Sequence, residues 1–305
     1  MVRTGALGDT ILLIPTVRLL HQHLPSADLT LLGSRVARDL LELSSTDCRY
    51  FPYDSPTIGS LFTSGPFDLP EILRRVDAAV LYTSDPDGPL KENLQRSTSG
   101  PLICWPVEPT RGQHAAAHFA RAVTRHPLTD DELPPPAFRA KESARGAARQ
   151  WLFDHGSGSQ RPLAAIHPGS GSRQKCWPPE RFASLARTFH QDGWGIIVVE
   201  GPADQRQREE MLTRLPGLAV FRRKGLEELA GLLSLADVCI SNDSGVGHLA
   251  AALGTPTVSI FGPTDPAVWR PLGPRTLAVR GMKGKRPQWP SVQRVRDAVC
   301  RLVTR

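Results

Sequence analysis

The sequence predicts an α/β protein made of doubly wound parallel sheets in two domains, and three observations carry that expectation. Short apolar runs of strand length alternate with stretches of helical periodicity along the chain, as βα repeats do. At 305 residues, 40% of them hydrophobic, the chain exceeds a usual single domain, so two domains of about 150 residues each are expected. Residues 238–261 run strand, Asp-Ser-Gly turn, helix, Gly-Thr-Pro stop and second apolar strand without interruption, the build of a ligand-binding crossover at the carboxyl edge of a parallel sheet.

In the first half, a short strand ends before the loop Gly5-Ala6-Leu7-Gly8-Asp9, and residues 11–23 are apolar at helical spacing. Residues 28–32 read as a strand, 36–43 as a helix and 77–82 as a buried strand. The stretch 83–100, rich in Ser, Pro, Gly and charge, reads as a loop, followed by a strand over 102–106 and a helix over 114–125. Only Met1, Val2 and Arg3 precede the Gly-rich loop, whereas a central strand ordinarily needs about five residues. The expectation is therefore a true start upstream of Met1.

Between 127 and 161 the chain carries Pro134-Pro135-Pro136, an Ala/Arg-rich helix over 141–153, and Gly156-Ser157-Gly158-Ser159. Breakers on both sides of a helix mark an interdomain connection, and the boundary is expected near 155–161. The domains are then 1–155 and 156–290. The second half alternates more cleanly: strands over 163–167, 195–200 and 218–221, helices over 179–191, 204–215 and 226–235, then the block at 238–261. In the tail, 291–305, Ser291 caps a helix with Val292, Val295, Val299 and Leu302 on one stripe.

Composition narrows the function classes. No run of about 18 apolar residues exists to span a membrane, and Asp9 and Pro15 interrupt what would be a signal peptide; a cytoplasmic location is expected. The five cysteines form no Cys-x-x-Cys pair, so neither a disulfide framework nor a zinc site is suggested, and they read as small buried apolar residues. His21, His23, His114 and His118 lack a metal-ligand pattern beyond one i, i+4 pair and read as surface residues. The net charge of +7 is uneven, with 16 Lys/Arg against 18 Asp/Glu in 1–155 but 21 against 12 in 156–305. No long basic run and no nucleic-acid motif accompanies that excess, so nucleic acid is not expected as a partner. A half that binds an anionic ligand near anionic lipids accounts for it, and peripheral contact with the inner membrane surface is allowed for.

The block opened by Asp243-Ser244-Gly245 with His248 in the first helical turn aims backbone N–H groups, a carboxylate, a hydroxyl and an imidazole at one place. Such a place suits an anionic, hydroxyl-rich ligand. Lys175, one of six lysines, follows the Gly/Ser-rich turn His167-Pro168-Gly169-Ser170-Gly171-Ser172, where an ammonium and a nest of N–H groups can neutralise a diphosphate. From the residues alone, Asp9 is either a proton acceptor or a helix N-cap, Lys175 either an anion contact or a solvated surface lysine, and Asp243, Ser244 and His248 either ligand contacts or caps and helix residues. The loop lacks Gly-x-Gly-x-x-Gly, so a dinucleotide site is not indicated.

Three blocks in order, Thr4-Gly5-Ala6-Leu7-Gly8-Asp9 with Leu13-Ile14-Pro15, the turn at 167–172 with Lys175-Cys176-Trp177-Pro178, and 241–266, resemble the inverting glycosyltransferases of family 9, whose best known members are ADP-heptose:lipopolysaccharide heptosyltransferases. The resemblance implies a GT-B fold, two Rossmann-like domains with a cleft between them and a C-terminal helix packing back toward the hinge. It implies an inverting, metal-independent transfer without cofactor, from a nucleotide-sugar donor, ADP-heptose above others, to a lipopolysaccharide-core or related glycan or glycolipid. It makes Asp9 the general base and Lys175 the catalytic cation. Ser170, Gly171, Lys175, Asp243, Ser244, Gly245 and His248 become donor contacts, with Arg3 and Thr10 as acceptor-side candidates. Where the family often places a Glu near the ribose, Gly201-Pro202-Ala203-Asp204-Gln205 offers Asp204 or Gln205. Two alternatives remain open: a nucleotide-sugar epimerase of similar fold, and a noncatalytic sugar-nucleotide-binding module.

Overall fold

The computed structural model describes residues 1–64, 73, 76–157, 162–201, 204–222, 224–281 and 289–303. They form two compact units, Met1–Pro134 and Pro135–Arg305. In the first, β1 (Val2–Arg3), β2 (Thr30–Gly33), β3 (Arg49–Pro52), β4 (Ala79–Thr83) and β5 (Leu102–Pro106) make a parallel sheet of order β3-β2-β1-β4-β5. Helices α1 (Leu7–His23), α2 (Arg35–Ser44), α3 (Pro56–Gly59), α4 (Pro89–Ser97) and α5 (Ala115–Arg121) connect the strands or follow β5. Helix α1 buries every residue from Thr10 to Val17, and Leu19 as well. It is apolar nearly all round and packs against both α2 and α5.

Three elements of this unit lie where the sequence offers little signal. The stretch 83–100 contains α4, which starts with Pro89 at its first position and buries only Asn93 and Leu94. Asn93 holds it down by donating to the Leu61 and Thr63 carbonyls, each at 3.0 Å. Edge strand β3 has no fully buried residue and ends in a proline, and α3 is four residues long.

The second unit holds β6 (Leu163–His167), β7 (Gly195–Glu200), β8 (Ala219–Arg222), β9 (Val238–Asn242), β10 (Thr257–Phe261) and β11 (Thr276–Arg280), parallel and ordered β11-β10-β9-β6-β7-β8. Around them are α6 (Glu142–Asp154), α7 (Pro179–Gln191), α8 (Gln205–Leu212), α9 (Leu226–Leu233), α10 (Gly245–Ala252), α11 (Pro266–Trp269) and α12 (Val292–Val303). Strands β6, β9 and β10 are buried throughout. Ile166, Val198, Ile240 and Ile260 meet Trp177, Phe182 and Phe189 on one face, together with Val295 and Val299 of α12, each large side chain worth about 1.5–3 kcal/mol of transfer energy. Edge strand β11, with only Val279 buried, was not legible in the sequence.

The boundary falls at 134/135, inside the Pro134-Pro135-Pro136 run, not at 155–161. Helix α6 belongs to the second unit because it packs on α9 so closely that a Cβ on Gly231 would lie 2.5 Å from the Ala144 carbonyl oxygen. The Lys141 N–H also donates to Glu227 at 2.8 Å. Of the Gly/Ser run taken as the linker, Gly158 and Ser159 lie outside the described residues. Helix α12, expected to pack toward a hinge, packs on β9, β10, β11 and α7 of the second unit, and Ser291 caps it as expected, its Oγ accepting the Arg294 N–H at 3.2 Å. Among the described residues no helix is long and apolar enough to cross a membrane.

Candidate functional site

In an open parallel sheet, ligands bind where the strand order reverses, beyond the carboxyl ends of the two strands at that point. In the second unit those strands are β6 and β9, and the residues that follow them are the turn at 168–172 and Asp243-Ser244-Gly245. Asn242, fully buried at the end of β9, joins the two: its Oδ1 accepts the Trp177 N–H at 2.8 Å, and its Nδ2 donates to the Pro168 and Gly169 carbonyls at 2.8 and 3.1 Å. Trp177 anchors the far side of that turn, its indole N–H on the Pro290 carbonyl at 3.0 Å and its ring edge-on to Phe182.

That stapling sets Lys175 over Asp243. The ammonium lies 2.9 Å from Asp243 Oδ2, which also accepts the Thr264 hydroxyl at 2.8 Å. Asp243 is 7% exposed and Lys175 33%; a carboxylate this buried needs its partners. Asp243 Oδ1 makes no hydrogen bond among the described residues and remains able to accept from a ligand hydroxyl. Ser170 donates to the Asp243 main-chain carbonyl at 2.7 Å, so its hydroxyl proton serves the loop, while Gly171 borders open space.

Ser244 occupies the N-cap of α10 with extended backbone, yet among the described residues its buried Oγ makes no capping bond and has no partner. An unmade hydrogen bond at a helix N-terminus beside a lysine is what an anion would complete. His248, 4% exposed, follows in the first turn. Gly247 lets α10 lie close to the sheet, since a Cβ there would sit 2.3 Å from Ser241 Oγ. The structure therefore brings Ser170, Lys175, Asp243, Ser244, Gly245 and His248 to one switch point.

Asp204 and Gln205 are placed differently. Asp204 is buried, accepts the Gly201 N–H at 2.8 Å, lies 3.7 Å from His167 Nε2, and fills the space a Gly169 side chain would need. Its carboxylate is committed to joining the turns after β6 and β7, whereas Gln205 is exposed and bonded to Glu209 at 2.9 Å. Pro202 and Ala203 of that turn lie outside the described residues.

In the first unit, Asp9 is the third residue of α1, and Ala6, not Asp9, occupies the N-cap position. The carboxylate accepts the Ala6 N–H on Oδ2 at 3.0 Å and Arg3 Nη2 on Oδ1 at 3.2 Å. Arg3, at the end of β1, is 6% exposed, with its guanidinium 4.8 Å over the Phe119 ring. Burial lowers its pKa from the ordinary value, and the Asp9 charge opposes that shift. Asp9 is 28% exposed and so keeps contact with solvent. Thr10 is 3% exposed with its hydroxyl on the Ala6 carbonyl at 3.1 Å, which makes it part of the helix rather than of an open site.

Sequence reasoning missed Asn242 and Thr264 as site builders, although Ser-Asn-Asp and Gly-Pro-Thr-Asp both stand within the motif block. It also misplaced two histidines: His114 and His118 are buried, His114 Nδ1 capping α5 through the Ala116 N–H at 3.3 Å and His118 Nε2 lying 2.8 Å from the Pro106 carbonyl. Of the cysteines only Cys239 is buried, its thiol pushed up to about 12 by burial; the other four are half-buried. Among the described residues no group of three or more His, Cys, Asp or Glu side chains is placed to hold a metal ion.

Known proteins agree with this architecture. The chain is 37% identical over 122 residues to lipopolysaccharide heptosyltransferase 1 of Pseudomonas aeruginosa, covering 40% of this chain and 34% of that one. Such alignments span about a third to a half of the curated relatives they match. Its fold matches that of a glycosyl transferase family 9 protein from Veillonella parvula (TM-score 0.82, 19% identity, 99% of this chain and 96% of that one). It also matches an E. coli heptosyltransferase solved with ADP (TM-score 0.69, 17% identity, 98% of both), so the two parallel-sheet units are of the GT-B class. The sequence model of glycosyltransferase family 9 (heptosyltransferase) matches residues 102–297, more than half of the chain, and the chain belongs to that family.

Proposed function

We propose that the protein is an inverting, metal-independent glycosyltransferase that moves a sugar, heptose from ADP-heptose first among the candidates, onto a lipopolysaccharide-core or related glycan. The observation that carries this reading is the convergence at the β6/β9 switch point of Lys175, the unpartnered Ser244 hydroxyl and an Asp243 carboxylate with one oxygen unused. These groups match a diphosphate and a sugar hydroxyl. The adenine nucleotide is the first to test because the E. coli structural neighbour was solved with ADP.

In this mechanism the acceptor hydroxyl oxygen bonds to the anomeric carbon as the bond from that carbon to the diphosphate oxygen breaks. The hydroxyl proton passes to Asp9, and the electron pair leaves with the nucleoside diphosphate. Arg3 and the Ala6 N–H hold the Asp9 carboxylate ready, while Lys175, His248 and the start of α10 take up the charge growing on the leaving group. The catalysis is expected in the cytoplasm, with the acceptor presented at the inner membrane surface.

Thermal shift against ADP, UDP, GDP and their sugars tests the donor site, since a ligand at a hundred times its Kd stabilises by about 2.7 kcal/mol. A rise in melting temperature for one nucleotide, and donor turnover that requires an acceptor, are expected. Turnover of a nucleotide sugar without acceptor would replace the transfer reading with an epimerase, and no response to any nucleotide would end it.

A further inference from the structure

We propose that Trp289 is a positioning residue of the donor site: pressed against Gly262, its indole fixes the loop that brings Thr264 to Asp243. The proposal rests on the glycosyltransferase reading and adds to it a residue that decides how the donor sugar is held.

The loop after β10 starts at Gly262, and Thr264 in that loop donates its hydroxyl to Asp243 Oδ2 at 2.8 Å. An indole fixes where the loop starts. A Cβ on Gly262 would lie 2.4 Å from Trp289 Cη2, 2.6 Å from Cζ3 and 2.8 Å from Cζ2, so the outer edge of the ring takes the place of a side chain. The Gly262 backbone is not left-handed, and the glycine there answers to the close approach of the ring rather than to a turn.

Trp289 is itself held. Its side chain packs on the core of the second unit and its carbonyl accepts Arg181 Nη1 at 3.3 Å, while the Pro290 carbonyl accepts Arg181 Nη1 at 2.9 Å and Trp177 Nε1 at 3.0 Å. Residues 289 and 290 therefore brace two turns, the main chain supporting the one that carries Lys175 and the indole supporting the one that carries Thr264. Both turns end on Asp243 Oδ2, Lys175 at 2.9 Å and Thr264 at 2.8 Å.

This division assigns a different part of the donor to each support. Lys175 and the start of α10 meet the diphosphate, and a change confined to the indole leaves in place the carbonyls behind Trp177 and Arg181. Thr264 pins one oxygen of Asp243 and so aims the other at a sugar hydroxyl, a contact that tolerates displacement of only about 0.5 Å. In a close-packed interior the loss of the ring edge is passed to the loop it supports. The indole therefore acts on the sugar and not on the diphosphate.

The test measures ADP and ADP-heptose affinities by calorimetry on the whole chain. Trp289→Ala should weaken ADP-heptose by about tenfold, as expected for one hydrogen bond to a charged group, with ADP kept within about twofold. Beside Thr264→Val the same substitution should cost less than about twofold more, because the contact it acts through is already gone. Gly262→Ala should imitate Trp289→Ala, and Gly262→Ala with Trp289→Phe should recover most of the loss, since the shorter ring makes room for the methyl group. An equal loss of ADP and ADP-heptose in Trp289→Ala would show general support of the fold, and a full further loss beside Thr264→Val would show another route to the ligand; either overturns the proposal. So does an unchanged ADP-heptose affinity in Trp289→Ala, or a parent to which the heptose adds none. A parent that binds neither ligand counts against the glycosyltransferase reading instead.

Discussion

Asp9→Asn separates the chemistry of Asp9 from its structural work, and the structure fixes what each should cost. An Asn at the N-cap would substitute without loss, but Asp9 stands inside the helix with one oxygen on the Ala6 N–H and the other on Arg3. The amide keeps one acceptor and turns an N–H₂ toward one of the two donors. It also leaves the Arg3 guanidinium, 6% exposed, without its counter-charge. A hydrogen bond to a charged group is worth about 1.5–3 kcal/mol, and breaking a fully buried pair about 3–5. Because Asp9 is 28% exposed, the lower range applies, and a loss of about 2 kcal/mol is expected, roughly 4–8 °C in melting temperature.

The rate should fall further than this loss of stability explains, by about a hundredfold or more for a missing general base. The double variant Arg3→Met with Asp9→Asn distinguishes the two effects. Removing both charges relieves the orphaned guanidinium, so stability should return toward that of the parent, while turnover stays low. Melting temperature, donor affinity and initial rate are measured on each preparation with a donor and acceptor pair that the parent uses. Turnover of Asp9→Asn within a few-fold of the parent refutes the base assignment. Unchanged stability in the same variant refutes the claim that the Arg3 pair holds this end of the helix.

Lys175→Ala should weaken diphosphate binding by about 2 kcal/mol and also lower the melting temperature, because Asp243 would lose its 2.9 Å partner; adding Asp243→Asn should restore part of the stability but not the binding, and intact binding in Lys175→Ala would remove Lys175 from the donor site. Thr264→Val deletes the second donor to Asp243 Oδ2 and should raise the dissociation constant for the nucleotide sugar by about tenfold, while Thr264→Ser recovers it; a nucleotide-sugar titration by calorimetry in which valine and serine behave alike would show that the hydroxyl is not needed. Gly169→Ala should destabilise the second unit, because its Cβ would meet Asp204 Oδ1 at 1.9 Å, an overpacking effect of about 1–3 kcal/mol or more; a parental melting temperature would contradict the close fit. Gln205→Ala removes an exposed side chain bonded to Glu209, so its stability should stay within about 0.5 kcal/mol of the parent, and a loss of ADP affinity would assign the ribose contact to Gln205.

What the sequence determined by itself is the class of fold, most of the central strands and the contiguous residues that stand as donor-side candidates. Strands such as 163–167 and 257–261 are buried on both faces and therefore read as unbroken apolar runs, while the Asp-Ser-Gly turn and the first residues of α10 are contiguous in the chain. Edge strands β3 and β11 escaped it, because they pack one face or less and carry no period, whereas edge strands β5 and β8 were expected. The domain boundary escaped for a related reason: Pro134-Pro135-Pro136 and the Gly/Ser run both look like breaks, and only the packing of α6 on α9 decides between them. The tertiary structure also decided every relation between residues distant in sequence. Thr264 reaches Asp243 from 21 residues away, Asn242 holds Pro168 and Gly169 from 74 and 73, and Asp204 fills the space beside Gly169. Side-chain partnership across a sheet edge depends on which strands are neighbours and on how far each turn projects, and a chain's local pattern encodes neither.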